Sequence, residues 1–277
     1  MRPGYNTNGF AHHRLEDALA ILGELGYRSV ALTLDHHALC PFSPDVWAQA
    51  ERVRALLDRH RMGCVVETGA RFLLDPRRKH QPTLLDTGAE ARRHRLDFLL
   101  RAIEIAERLR ADAVSFWSGA APAGEKEERL FPRLLDACRE LCDHADRRGV
   151  RLAFEPEPGM LIDTMPRFAE LHRHIGHPRF GLTLDIGHLY CLQEDPVTPH
   201  LRQWREWLWN VHVEDMRRGT HDHLMFGEGE VDFREVFAGL RQVGYRGPVH
   251  VELSRHSHDA VETARRSLAF LREHGAE

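Results

Sequence analysis

No apolar run in this chain approaches the roughly 20 residues that a membrane-spanning helix needs. Its start, Met1-Arg2-Pro3-Gly4-Tyr5-Asn6, has no apolar stretch after the charge and does not read as a signal peptide. Excess positive charge is missing as well: 38 Lys and Arg stand against 42 Asp and Glu, a net charge of −4. That argues against a nucleic-acid partner, because dedicated binders carry a basic footprint. Cysteine is sparse, five in all, and no two form a Cys-x-x-Cys. Cys40, Cys64, Cys138, Cys142 and Cys191 therefore read as reduced thiols of a cytoplasmic protein, not as a disulfide framework. No linker, low-complexity tract or Gly-rich dinucleotide fingerprint interrupts the chain. Histidine, by contrast, is abundant at 20. Many of these, such as His60, His144, His172, His174 and His274, read as polar helix-face or helix-end residues, so abundance alone says little about metal.

What is present is a regular beat. Short β-like runs occur at 3–8, 28–35, 63–68, 112–117, 150–155, 180–185, 209–214 and 248–253. Amphipathic helical stretches lie between them: Leu15–Leu25, Asp45–His60, Leu96–Leu109, Leu130–Arg147, and shorter ones at 165–175, 199–208, 233–243 and 260–273. Glycines at 26, 63, 149, 176, 244 and 275 read as helix stops. Eight β-α units predict a single (β/α)8 TIM barrel, with residues 1–277 as one domain.

Within the last four runs, the short apolar segments 151–155, 181–185, 209–212 and 249–252 each close on a polar residue: Glu155, Asp185, His212 and Glu252. Period-two alternation sets Asp185 on the face of Gly181 and Thr183, opposite Leu182 and Leu184, so it points toward the barrel axis. By the same rule Glu155 shares a face with Ala153, and Glu252 with His250. Barrels keep their chemistry at the C-terminal ends of their strands, and neighbouring strands lie about 4.8 Å apart. The four side chains can therefore converge. Three carboxylates and an imidazole suit one divalent ion, Mn²⁺ or Mg²⁺, with Co²⁺ or Zn²⁺ as further options.

The stretches 69–92 and 215–232 are the longest irregular ones and fall on the catalytic face, where long loops grip substrates. The first holds Arg71, Arg77, Arg78, Lys79 and His80, a grip for phosphate or carboxylate or else a solvated basic turn. Trp117, ending strand 4, can stack on a sugar face or pack the barrel top. Glu157 shares the inward side of Glu155 if the strand continues past Pro156. Asn6 and Asn8 on strand 1, and Asp35-His36-His37 on strand 2, are weaker candidates.

The segments Glu155-Pro156-Glu157, Leu184-Asp185-Ile186-Gly187-His188, Val211-His212-Val213-Glu214-Asp215, Gly227-Glu228-Gly229-Glu230-Val231-Asp232-Phe233 and Val251-Glu252 resemble the xylose isomerase-like TIM-barrel superfamily. The resemblance runs along essentially the whole chain and is strongest from strand 5 onward. It implies that Glu155, Asp185, His212 and Glu252 hold the metal, that Glu155 and Glu252 also move a proton, and that His188 contacts substrate oxygens. Such a site stabilises the enediolate formed when a proton leaves the carbon beside a carbonyl. The implied activity is isomerisation or epimerisation of a small sugar, sugar phosphate or polyol ketone. An inosose-type dehydratase is the alternative on the same site. A phosphodiesterase of the endonuclease branch fits less well. In that branch His221 and His223 match residues binding additional zinc, which with His188 would make a second metal site. However, Glu67-Thr68 and Trp117-Ser118 stand where that branch has histidines. Barrels of this kind often pair, so a homo-oligomer is compatible with the chain.

Overall fold

The computed structural model describes residues 1–276; Glu277, the last residue of the expected domain, lies outside them. Eight parallel strands close into a barrel: β1 (Arg2–Asn6), β2 (Ser29–Thr33), β3 (Gly63–Glu67), β4 (Val114–Phe116), β5 (Leu152–Phe154), β6 (Phe180–Asp185), β7 (Leu208–Val213) and β10 (Pro248–Val251), which pairs back onto β1. Between them run α1 (Leu15–Leu25), α2 (Val46–His60), α3 (Ala89–Leu109), α4 (Glu127–Asp146), α5 (Met165–Ile175), α6 (Ile186–Cys191), α7 (Val197–Trp204), α8 (Phe233–Gln242) and the closing α9 (Ala260–Glu273). The predicted (β/α)8 barrel is what forms. No helix among the described residues is long and apolar enough to cross a membrane.

Alternation explains the two barrel faces. Val30, Leu32, Val66, Val114, Phe116, Phe154, Leu182 and Leu184 are buried among the apolar faces of the helices. Phe116, Phe154 and Phe180 meet edge-on or tilted, at 5.2 and 5.7 Å between Phe154 and its two neighbours. Burying each such ring contributes about 1.5–3 kcal/mol. The inner face is polar: Ser29, Ser115, Thr183, Asn210 and His250 are all buried there. Room for His250 comes from its register partner Gly4, where a Cβ would lie 2.2 Å from the imidazole.

Several local readings need correction. Gly63 does not stop α2; Arg61 does, in the left-handed region at φ 56°, and Gly63 opens β3 with the Arg2 guanidinium where its side chain would stand. Helix α3 begins seven residues before Leu96, because Ala89–Arg95 is polar and gives no apolar rhythm, though it propagates the helix. The stretch 215–232 is not irregular throughout: β8 (Asp215–Arg217) and β9 (Thr220–Leu224) make an antiparallel hairpin there. Strand 2 ends before Asp35-His36-His37, which form a turn, with both histidines exposed. Asn8 lies in a 3₁₀ turn, Thr7–Phe10, not on β1. His172 leaves the polar face of α5 and packs among Phe168, Trp204 and Trp207.

Candidate active site

Each candidate at the mouth is held by the end of a strand. Glu155 follows β5 directly, and its N–H donates to the Phe116 carbonyl at 2.9 Å, carrying the β4–β5 pairing one residue further. Asp185 ends β6 in register with His212 on β7. One of its oxygens, Oδ1, accepts from the His188 N–H at 2.9 Å and caps α6. Its other oxygen, Oδ2, is buried with no hydrogen-bond partner. Glu252 lies two residues past His250, the register partner of His212, and is tied back by its N–H to the Val213 carbonyl. Asn8 Nδ2 donates to Glu252 Oε1 at 2.8 Å.

These side chains meet at one atom. His212 Nδ1 lies 3.0 Å from Glu155 Oε1, 2.9 Å from Glu252 Oε2 and 3.8 Å from Asp185 Oδ2. The ligand-type atoms of Glu155, Asp185, His212 and Glu252 are all within 4.8 Å of one another. Donors bound at about 2.0–2.2 Å from one cation are spaced in this way. Three carboxylates gathered on one imidazole, with Glu214 packed against Asp185, fit the set to a dication, since buried like charges this close repel unless a cation offsets them.

Charge is divided unequally among them. Burial pushes the Glu155 carboxyl up to about 8, with Glu252 and Glu67 pushing the same way and His212 opposing. Burial acts on Glu252 too, but the His212 charge and hydrogen bond, with that of Asn8, overcome it and hold Glu252 below its ordinary value. His212 is lowered by burial and raised more by Glu155, Glu67 and Glu252, so it lies well above its usual range. Two carboxylates on one imidazole nitrogen therefore favour opposite protonation states, the pattern that divides base from acid.

Two residues beneath this cluster escaped the strand-end reading. Glu67, the last residue of β3, has Oε1 3.0 Å from His212 Nε2, and Asn210 Nδ2 lies 3.2 Å from the same oxygen. Glu67 ends an apolar run as the other four do, so the same rule would have found it. Asn210, mid-strand and fully buried, gives no such signal.

The cavity above holds about 260 Å³ and brings both kinds of wall together. Glu155, Glu157, His188, His212, His221, His223 and Glu252 line it, with Trp117 at its side. Trp117 packs on Arg95 at 4.4 Å and edge-on to His80 at 5.6 Å. His188 Nδ1 lies 3.1 Å from the Pro156 carbonyl, which can only accept, so Nε2 turns a lone pair toward His221 Nε2 at 3.1 Å. Burial lowers both imidazoles, His221 to about 4. With His223 they form a second close group of ligand-type nitrogens. The cavity is also lined by Arg71, Lys79 and His80 from the loop after β3, and by Arg255 after β10, which pairs with Asp222 of the β8–β9 hairpin. Arg77 and Arg78 of the same loop are not brought in; Arg78 is exposed and pairs with Asp75 at 2.7 Å.

A (β/α)8 barrel with an acidic, histidine-containing cluster at the C-terminal mouth is the class that fold and site define. The family model described as xylose isomerase-like TIM barrel matches residues 19–274, and the chain belongs to that family. Among curated relatives, L-ribulose-5-phosphate 3-epimerase UlaE of Salmonella paratyphi C is 26% identical over 238 residues, 86% of this chain and 81% of that protein. The fold is shared with solved structures: E. coli 3-keto-D-glucoside 4-epimerase YcjR (TM-score 0.80, 19% identity, 99% of each chain) and a D-psicose 3-epimerase determined in the presence of D-fructose (0.79, 16%, 100% of each).

Proposed function

We propose that this chain is a divalent-metal-dependent epimerase or isomerase of a small ketose or ketose phosphate, acting by proton transfer next to the carbonyl, with residues 1–277 forming one domain. The observation that carries the reading is the meeting of Glu155 Oε1 and Glu252 Oε2 on a single His212 nitrogen, at 3.0 and 2.9 Å. Glu155, Asp185, His212 and Glu252 would hold the ion. When bound, it supplies Lewis-acid stabilisation of the negative charge that builds on the substrate oxygen.

The chain's own residues do the rest. One of Glu155 and Glu252 takes the proton from the carbon beside the carbonyl, and the other, on the opposite side, returns one. Two carriers invert the stereocentre; return by the same carrier to the neighbouring carbon gives isomerisation. Asn8, donating to Glu252 Oε1, orients that carboxylate. His188, His221, His223 and Glu157 are donors and acceptors for substrate hydroxyls, and Trp117 covers an apolar sugar face. Arg71, Lys79 and Arg255 supply charge-assisted hydrogen bonds to an anionic end, in keeping with the phosphorylated substrate in the name of the curated relative. A cavity of about 260 Å³ suits a single small polyol.

The test is a panel of ketoses, ketose phosphates and inososes, supplied with Mn²⁺, Mg²⁺, Co²⁺ or Zn²⁺ in deuterated water. The expected product has the substrate's mass plus solvent deuterium. Loss of water would favour the dehydratase reading, and full retention of the original hydrogen at normal turnover would replace proton transfer with a hydride shift.

A further inference from the structure

Beneath the cluster lies a chain of buried polar groups whose upper end, Glu67, reaches the cavity wall. Ser29 Oγ and His250 Nε2 are 2.9 Å apart, His250 Nδ1 and Asn210 Oδ1 2.8 Å, and Asn210 Nδ2 and Glu67 Oε1 3.2 Å. The Glu67 carboxylate can only accept, so it turns the Asn210 NH₂ toward itself and His212 and leaves the amide oxygen toward His250. His212 Nε2 has two close neighbours: Asn210 Nδ2 at 3.0 Å and Glu67 Oε1 at 3.0 Å. The amide nitrogen can only donate and the carboxylate can only accept.

Those two neighbours ask opposite things of the ring. If Nε2 carries the proton it donates to Glu67, and Nδ1 keeps a lone pair for the cluster formed by Glu155, Asp185 and Glu252. If Nε2 is bare it accepts from Asn210, and the ring proton moves to Nδ1, the one nitrogen facing that cluster. We infer that Glu67 is a positioning residue: its carboxylate holds the His212 proton on Nε2 against the competing Asn210 amide, and so keeps Nδ1 free to ligate a divalent cation. A partner behind a ligating histidine commonly changes metal affinity by about 10- to 100-fold.

This inference rests on the metal reading above. The test uses purified full-length protein, stripped and reloaded with Zn²⁺, with affinity read by chelator competition and folding by the melting of the metal-free form. Glu67→Leu should weaken Zn²⁺ by about 10- to 100-fold in a metal-free form that still melts cooperatively. Glu67→Gln, whose amide oxygen still accepts, should retain most of the affinity. Adding Asn210→Asp to Glu67→Leu restores an acceptor below Nε2 and should recover binding, which a loss of packing alone would not. Independently of any variant, ¹⁵N spectra of the Zn²⁺-loaded parent should show His212 protonated on Nε2. Equal affinity for parent and Glu67→Leu, no recovery in the double variant, or a proton on Nδ1 would each overturn it. A parent that binds no Zn²⁺ would instead remove the metal reading, and this inference with it.

Discussion

The two walls of the cavity are built differently. On one side Glu155, Asp185, His212 and Glu252 sit at or just past the ends of hydrogen-bonded strands and are almost wholly buried except Glu252. Arg71, Lys79 and His80 instead ride on a loop held mainly by its own turns: Arg71 Nη2 to the Asn8 carbonyl at 3.1 Å, His80 Nδ1 to the Gly69 carbonyl at 2.6 Å and the His80 N–H to the Arg71 carbonyl at 2.6 Å. Strand ends fix atoms to within fractions of an ångström, as proton transfer requires. A loop tolerates change, as substrate selection requires. On the proposed function, the contrast gives chemistry to the acidic residues and recognition to the basic ones.

The assignment breaks most visibly on the acidic side. Glu155→Gln and Glu252→Gln should each lower turnover by about 10²- to 10⁴-fold, measured by steady-state assay and by washout of the carbon-bound hydrogen. A variant that turns over and exchanges hydrogen at the parent's rate would remove its residue from the proton path.

Acidity gives the next effect. The Glu155 carboxyl keeps its proton up to about 8, and an ion must displace it. His212, held charged as well, must also lose a proton, so metal affinity should rise with pH by up to about a hundredfold per unit where both groups are protonated. In the metal-free protein the sign is opposite. An unfolded glutamate ionises near 4.5 while the folded one does not until about 8, so this group makes the fold less stable as pH rises across that window. His212, raised in the fold, contributes stability at low pH and loses it at high pH, in the same direction. Thermal melting with and without metal between pH 5 and 9 checks both signs, and Glu155→Gln should flatten the slope.

The basic wall should answer more gently and differently. Arg71→Ala or Lys79→Ala removes a charged hydrogen bond, about 1.5–3 kcal/mol, so KM for an anionic substrate should rise roughly tenfold to a hundredfold. Metal content and kcat should stay as they are. Smallest of all is Arg78→Ala, on the same loop but paired outward with Asp75; it should alter KM by less than about twofold. Equal responses from Arg71 and Arg78 would make the loop a solvated turn.

The same contrast governs what could be foreseen from the chain. Strand ends were legible because alternation decides which way a residue points without long-range information, and Asp185 and His212 follow from it directly. Glu67 is equally legible, since it closes the apolar run of β3 as the other four close theirs. Asn8 reaches Glu252 only through a 3₁₀ turn, and Arg255 enters the cavity only because the chain past β10 folds over it; neither has a local signature. Helix α6, six residues long, is too short for an apolar rhythm and is started by the Asp185 cap. The hairpin that carries His221 and His223 has few apolar residues and half-buried strands, so period two was faint there. His188 met these histidines only once that hairpin folded back.

The central claim is that the four strand-end residues hold one divalent ion. Elemental analysis of the parent and of Glu155→Gln, Asp185→Asn, His212→Ala and Glu252→Gln, each expressed in metal-supplemented medium and mildly dialysed, tests it most directly. The expected result is about one ion per chain in the parent and a substantial loss in every variant whose metal-free melting is unchanged. Metal content equal to the parent's in all four would contradict it.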